Sequence, residues 1–136
     1  MSSLYAFLNA ETAEKTKEVV VSTRFKDENG KVVPFVIKNL TQEKNNENIS
    51  KSTKFRNVGG MTTDYLDTVL LAKRTIVEST VYPDFRSKEL CEHYGTLDPL
   101  EVPGKMLTAG EYNTLMEAIR QLSENDGELT LEDAKN

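Results

Sequence analysis

The feature that most constrains this fold is a capped amphipathic helix near the end of the sequence. Thr108 is followed three residues later by Glu111, the spacing of a capping box in which two side chains satisfy backbone N–H groups at a helix start. Apolar residues then recur at helical spacing, at Tyr112, Leu115, Met116, Ile119 and Leu122. Because such a stripe is normally covered by the rest of the domain, the pattern predicts a core-facing helix that ends near Asn125.

A second amphipathic segment precedes this helix and offers it an apolar face. Thr62 or Thr63 is expected to cap the segment, because threonine is a favoured N-cap residue. The helix should end before Pro83, since the residue ahead of a proline disfavours the α conformation. The residues at core spacing are Leu66, Val69, Leu70, Ile76 and Val77. We therefore predict that a helix over 66–77 packs against the helix over 112–122.

Shorter elements connect these two helices. Ser87 is a suitable cap for a short helix over 88–94, which Gly95 would close in the left-handed conformation. Asp98 followed by Pro99 is a favourable helix start, with a cap and a proline at the first position. Pro103 and Gly104 are expected to interrupt that helix almost at once and to leave a turn before Lys105.

The N-terminal third has the pattern of a β-hairpin over about 18–38. Two segments rich in Val, Ile and Phe, 18–26 and 32–38, flank a loop that ends in Asn29-Gly30, a pair that tolerates positive φ. Pro34 cannot donate to a ladder, so its strand should be an edge strand or carry a bulge. Because a lone hairpin is not stable in water, we expect helices to cover it.

The segment after the hairpin predicts weak local order. Thr41 can cap a helix over about 42–55, but this segment is crowded with Asn and Ser, which compete for backbone hydrogen bonds. We expect an exposed helix that leads into a flexible loop around 58–61, with Gly59 and Gly60 as a hinge. The fold class is thus α+β, mainly α-helical, with an N-terminal β-hairpin packed on a small helical domain and helices over about 41–125.

Length and charge indicate one domain over 1–127, followed by an acidic tail over 128–136. The chain has 136 residues and a net charge of −5, of which residues 124–136 carry −4. A nearly neutral body argues against a phosphate-binding surface, so nucleic acid is not an expected partner. No segment has the roughly 20 apolar residues of a membrane span, and the first residues lack a secretory signal. We interpret the tail as a solvated end, with a docking peptide as the alternative.

No residue pattern in the chain predicts catalysis, a cofactor or a metal ion. Cys91 and His93 are too few for a structural zinc site and, two positions apart on a helix, point to different faces. The carboxylate pairs Asp64/Asp67 and Glu89/Glu92 lie in or near predicted first turns, where acids stabilise a helix. We therefore expect a protein that is not an enzyme, with no catalytic, cofactor-binding or metal-binding residues. An enzyme remains an alternative, which contact of Cys91 with His93 in a cleft would favour.

The order of these motifs resembles the XkdN-like phage tail assembly chaperones of contractile-tailed phages and prophages. The resemblance covers nearly the whole chain and is densest at Tyr82-Pro83-Asp84-Phe85 and its flanks. It includes the Leu4/Phe7-Leu8 segment, the Pro34-Phe35 strand, Leu40-Thr41, Tyr94-Gly95, Lys105-Met106-Leu107 and Gly110-Glu111-Tyr112. Pro103-Gly104 and the acidic tail depart from the expected family pattern.

The resemblance implies a role without catalysis in the cytoplasm of a bacterial host. Such chaperones bind the tape measure protein and support tail tube assembly, and they are not expected in the mature virion. The tail tube protein and a second copy of the chain are further candidate partners, and no membrane is expected. For partner contact we select Leu4, Phe7, Leu8, Phe35 and Ile37, while the alternative is that all five belong to the core. The rival function is that of a structural tail or baseplate component retained in the particle.

Overall fold

A computed structural model describes residues 4–125 of the chain. Within that range, the helices are α1 (Tyr5–Leu8), α2 (Gln42–Lys51), α3 (Thr68–Ser79), α4 (Lys88–His93), α5 (Val102–Met106) and α6 (Ala109–Asn125). The strands are β1 (Thr16–Val19), β2 (Phe35–Lys38), β3 (Thr53–Val58), β4 (Met61–Leu66) and β5 (Thr80–Tyr82), and Pro99–Glu101 is a 3₁₀ turn. The fold is therefore an α+β mixture, as expected. The acidic tail predicted over 128–136 lies outside the described residues.

The predicted N-terminal hairpin is present, although its strands are shorter than the sequence indicated. β1 and β2 pair antiparallel, with Thr16 opposite Lys38 and Val19 opposite Phe35. The turn lies where it was expected, because the Gly30 N–H donates to the Asp27 carbonyl at 3.0 Å and Gly30 has a φ of 79°. Between this turn and the paired residues of β1 and β2, the two segments are joined by one isolated antiparallel bridge, between Lys26 and Val32.

A third strand makes β2 the centre of its sheet. β5 pairs with the other side of β2 and gives the strand order β1-β2-β5. Of the two predicted alternatives for the Pro34 strand, the edge strand is therefore wrong, whereas the register of β2 with β5 does shift between Val36 and Ile37, as a bulge would cause. Pro34 is tolerated because it lies just before the first residue of β2. The register places Val36 opposite Tyr82 and Ile37 opposite Thr80, so β5 has one extra residue, Val81.

The predicted flexible loop around Gly59-Gly60 is instead the turn of a second hairpin. α2 begins after Thr41, whose hydroxyl accepts a hydrogen bond from the Lys44 N–H at 3.1 Å, but it ends at Lys51 rather than near 55. β3 and β4 then pair along their whole length. Gly59 and Gly60 have φ values of 59° and 82°, the positive pair of a two-residue hairpin turn whose twist matches that of the strands. The two glycines therefore favour a hairpin turn over a flexible loop in this segment.

The second hairpin also moves the start of the central helix. Thr62 and Thr63 lie in β4, so the prediction that one of them caps α3 was wrong. Asp67 is the cap, and its Oδ1 accepts a hydrogen bond from the Leu70 N–H at 3.0 Å. The Asp67 N–H in turn donates to the Ser52 carbonyl at 2.9 Å. This bond ties the base of the hairpin together where α2 ends and α3 begins.

The remaining connections agree with the predicted caps, with one exception. Ser87 caps α4, and Gly95 follows it with a φ of 71°. The capping box of α6 is formed, since the Thr108 N–H donates to Glu111 at 2.9 Å and the Glu111 N–H donates to the Thr108 hydroxyl at 3.2 Å. Pro103 and Gly104, however, lie inside α5. The expected break does not occur because a proline in the first turn lacks only an N–H that has no helical partner there.

One hydrophobic core joins α3 and α6 to the three-stranded sheet. Phe35 lies between Phe25 and Phe85, with ring centroids 5.4 and 6.5 Å away respectively. Leu66 and Val69, which were predicted in the core, are exposed because β4 and the first turn of α3 lie outside it. The buried apolar residues are Val21, Phe35, Ile37, Ile76, Val77, Phe85, Cys91, Val102, Met106, Leu107, Leu115 and Ile119.

Candidate partner-binding surface

The N-terminal helix α1 displays an apolar face to solvent. Leu4, Phe7 and Leu8 are 55%, 79% and 71% exposed, and none of the residues of α1 is buried. Tyr5 adds a fourth large exposed side chain on the same turn. The alternative that these residues belong to the core is therefore wrong for Leu4, Phe7 and Leu8. Clustered apolar side chains of this kind mark an interaction site more often than isolated ones do.

Phe35 and Ile37, the other two residues selected from the sequence, lie in a different environment. They project from β2 into the core and are 2% and 0% exposed. The structure therefore does not bring them together with the α1 residues on one surface. Their alternation with half-buried Val36 and Lys38 follows the period of two along a strand.

An open cleft of about 350 Å³ lies at the end of the three-stranded sheet. Phe35, which is almost fully buried, lines this cleft together with Tyr82, Pro83 and Met106. The remaining lining residues are Arg24, Phe25, Lys26, Asp27, Val33 and Pro34. A cleft with a mainly apolar lining and a few charged groups at its rim has the usual character of a ligand or peptide site.

An ion pair with Glu111 holds Arg24, one of the residues that line this cleft. Arg24 Nε lies 2.7 Å from Glu111 Oε2, and Arg24 Nη2 lies 2.7 Å from Glu111 Oε1. The Arg24 guanidinium also donates to the Met106 carbonyl at 2.5 Å and lies over the Phe25 ring, 4.4 Å from its centroid. The hydrogen bonds from Arg24, followed by the backbone N–H of Thr108, lower the pKa of Glu111 from 4.5 to about 2.

The second hairpin displays apolar side chains that the sequence interpretation missed. Phe55 and Met61 are both 71% exposed, and Val58, Tyr65 and Leu66 are also exposed. The available signal was Gly59-Gly60 between two segments of strand-like residues, which indicates a hairpin turn. A hinge is predicted there instead because the preceding Asn-rich segment indicates weak local order.

Cys91 and His93 occupy different environments on α4. Cys91 is buried, and its Sγ donates to the Phe85 carbonyl at 3.5 Å. His93 is exposed and its ring meets that of Tyr94 edge-on, with centroids 4.8 Å apart. Within residues 4–125, no three His, Cys, Asp or Glu side chains are grouped to hold a metal ion. In the same range, no helix combines the length and apolar character needed to cross a bilayer.

A small α+β domain that displays apolar side chains on a short helix and a projecting hairpin belongs to the class of protein-binding proteins. Sequence comparison identifies the family. Residues 4–135 match the family described as "Phage XkdN-like tail assembly chaperone protein, TAC", and the chain belongs to that family. The matched range includes α1, the second hairpin and most of the acidic tail.

Relatives of known sequence and structure agree with this assignment. The chain is 42% identical over 135 residues to the Bacillus subtilis (strain 168) "Phage-like element PBSX protein XkdN", which covers 96% of this chain and 91% of the relative. It is 41% identical over 132 residues to the protein YqbN of the same organism, covering 94% of this chain and 89% of that protein. A crystal structure of a protein yqbn matches with a TM-score of 0.76 and 33% identity, over 91% of this chain and 98% of that one.

Proposed function

We propose that this tail assembly chaperone binds the tape measure protein and keeps it available while the tail tube assembles around it. The single observation that carries the proposal is the exposed apolar face of α1 in a chain of this family. Chaperone-type binding requires apolar side chains that a partner can reach, and α1 supplies them outside the core. The tail tube protein is the second candidate partner.

In this proposal, two surfaces of the chain bind different parts of the partner. The α1 residues Leu4, Phe7 and Leu8 can lie along an apolar stripe of a partner helix, in the manner of helix-in-groove recognition. The cleft beside Tyr82 and Met106 can accept a single side chain of the same partner. Phe35 lines this cleft but is almost fully buried, and Ile37 is buried and contributes to the stability of the sheet.

The proposed site of action is the cytoplasm of the bacterial host, where tail proteins are assembled. No step of the proposed function requires a reacting group, and the chain acts by binding alone. In this proposal, the chaperone leaves before the tail is complete and is absent from the finished particle. Persistence in purified particles would instead favour a structural tail or baseplate component.

Co-expression with the tape measure protein of the same gene cluster tests the proposal. Affinity purification followed by size-exclusion chromatography should give a soluble complex, while the tape measure protein expressed alone should be insoluble. The paired variant Phe7→Ser/Leu8→Ser should lose the complex because it removes the apolar face of α1 without touching the core. Leu97→Ser is the matched control, since Leu97 is 96% exposed on a loop between α4 and the 3₁₀ turn.

Two results would contradict the proposal. The first is the absence of a complex with the wild-type chain together with detection of the chain in purified tails by mass spectrometry. The second is a complex that survives Phe7→Ser/Leu8→Ser unchanged, which would move the binding surface away from α1. Circular dichroism of each variant would verify that the fold is retained.

A further inference from the structure

The segment between β2 and α3 lies outside the hydrophobic core. Residues 41–66, which we call the strap, contain α2 and the second hairpin. Within residues 4–125, every residue of the apolar core comes either from positions up to 37 or from position 76 onward. Because burial of apolar side chains is the main favourable contribution to folding, the strap receives little of the stability that holds the rest of the domain together.

The buried side of α2, which packs on α3, is polar. Of residues 41–66, all of which the structure describes, only Asn48 and Ser52 are buried, at 3% and 0% exposure. They lie four positions apart and therefore on one face of the helix and its end. Neither Asn48 Nδ2 nor Ser52 Oγ has a hydrogen-bond partner among the described residues. Since a buried polar group without a partner is destabilising, this interface holds the strap weakly.

The facing side of α3 has the same character. Lys44 Nζ lies 4.0 Å from Glu78 Oε2, which places this side of α3 against α2. Arg74 precedes Glu78 by one helical turn and has a buried Nε without a partner among the described residues. At the other end of the interface, the Asp67 N–H donates to the Ser52 carbonyl at 2.9 Å. Both ends of the interface are thus held by polar contacts.

The chain on either side of the strap is fixed to the rest of the domain. Before the strap, the Asn39 side chain donates to the Ala13 carbonyl at 2.9 Å and accepts the Lys15 N–H at 2.8 Å. After it, Asp67 caps α3 by accepting the Leu70 N–H. None of these bonds includes a residue of α2 or of the second hairpin, so the strap can leave α3 while both attachments stay in place.

We propose that the strap opens and closes over α3 as one unit while the core stays folded. Opening hydrates the Asn48 and Ser52 side chains, which offsets part of the loss of contacts with α3. It also uncovers the side of α3 that includes Arg74. α2 and the hairpin move together because only one residue separates Lys51, the end of the helix, from Thr53, the start of β3. The proposal concerns the free chain and does not rest on binding of the tape measure protein.

Thiol labelling of the full chain compares opening of the strap with opening of the core. Ser52→Cys places a thiol at the buried end of α2 without removing a hydrogen bond of the side chain, and Cys91 is a buried thiol in the core. Iodoacetamide, with the modified sites located by peptide mass spectrometry, should react with the introduced thiol at least about tenfold faster than with Cys91, because local opening costs less than global unfolding. Ser50→Cys, on the exposed side of α2, is the matched control that reacts without opening.

Two labelling results would overturn the proposal. An introduced thiol at position 52 that reacts as slowly as Cys91 would show that the strap opens only with the core. One that reacts as fast as the thiol of Ser50→Cys would show that the strap does not close over α3. Circular dichroism of both variants would verify that they retain the fold.

Native-state hydrogen exchange of the wild-type chain measures whether the strap opens as one unit. At urea concentrations below the unfolding transition, the amides of α2 and of Asp67 should share one opening constant, at least about tenfold larger than that of amides in the middle of α6. Asn48→Leu should reduce this constant by about tenfold, because it removes a buried polar group without a partner. Asn46→Leu, the same change at an exposed position of α2, should reduce it by no more than about twofold.

The exchange data would contradict the proposal in either of two ways. The first is that the amides of α2 and of Asp67 exchange only with those of α6, so that no separate opening exists. The second is that Asn48→Leu slows exchange in α2 but leaves the Asp67 amide unchanged, so that the helix and the base of the hairpin open separately.

Discussion

Glu111 in the first turn of α6 makes a two-pronged ion pair with Arg24, which lies 87 residues earlier in the N-terminal hairpin connection. The same carboxylate accepts the Thr108 N–H of the capping box. One side chain thus joins a local helix start to a long-range contact. The sequence predicts the first role from the spacing of Thr108 and Glu111, but no local pattern indicates Arg24.

The stability of the protein should fall in acid because of Glu111. Its pKa is lowered from 4.5 to about 2 in the folded chain, so the contribution is present above the unfolded pKa and is lost as pH falls through the folded pKa. The midpoint of thermal unfolding should therefore decline between about pH 5 and pH 2. Differential scanning calorimetry at a series of pH values would measure the decline.

Glu111→Gln removes the negative charge of this side chain while keeping its ability to cap α6. Glutamine can still complete a capping box, so the variant should lose stability at neutral pH and show a shallower decline in acid. Glu89→Gln in α4 is the control, since Glu89 is a first-turn glutamate that is exposed, whereas Glu111 is buried. An unchanged acid profile in Glu111→Gln would show that the Arg24 pair does not contribute.

The packing of α6 on α3 makes Leu115 a sensitive core position. Leu115 is 0% exposed and belongs to the same buried cluster as Ile76 and Ile119. Leu115→Ala should reduce the free energy of unfolding by about 2–5 kcal/mol because it leaves a cavity. Leu115→Asp should prevent folding because it buries an unpaired charge. Urea unfolding followed by circular dichroism would test both, with exposed Thr114→Ala as the control for helix α6.

Thr41 should stabilise α2 through its hydroxyl. Removal of the bond to the Lys44 N–H by Thr41→Ala should cost about 0.5–2 kcal/mol, the usual range for loss of an N-cap. Ser50→Ala, on the exposed part of the same helix, should have little effect or increase helicity. A Thr41→Ala variant as stable as the wild type in urea unfolding would show that the cap bond contributes nothing.

The elements that could be predicted are those whose signals are local. The capping box at Thr108, the cap at Ser87 and the left-handed Gly95 each depend on residues within a few positions of one another. The third strand β5 could not be predicted, because its three residues become a strand only by pairing with β2. The exposure of α1 is likewise a tertiary property, since an apolar face at helical spacing is equally consistent with burial.

Substitutions in the turn of the second hairpin test whether this segment forms a hairpin rather than the flexible loop that the sequence predicts. Gly59 and Gly60 both have positive φ, and a Cβ atom on either would meet nothing within 4 Å. Alanine at these positions should therefore disturb the hairpin through backbone strain alone, at a cost of about 1–2 kcal/mol for each residue. Gly59→Asn should be better tolerated than Gly59→Ala, because asparagine adopts positive φ more readily.

Since the hairpin lies outside the core, the global unfolding midpoint should change little. Amide exchange over 53–66 should accelerate in Gly59→Ala/Gly60→Ala and remain near wild type in Gly59→Asn. Equal exchange in all three chains would indicate a flexible loop rather than a hairpin in solution.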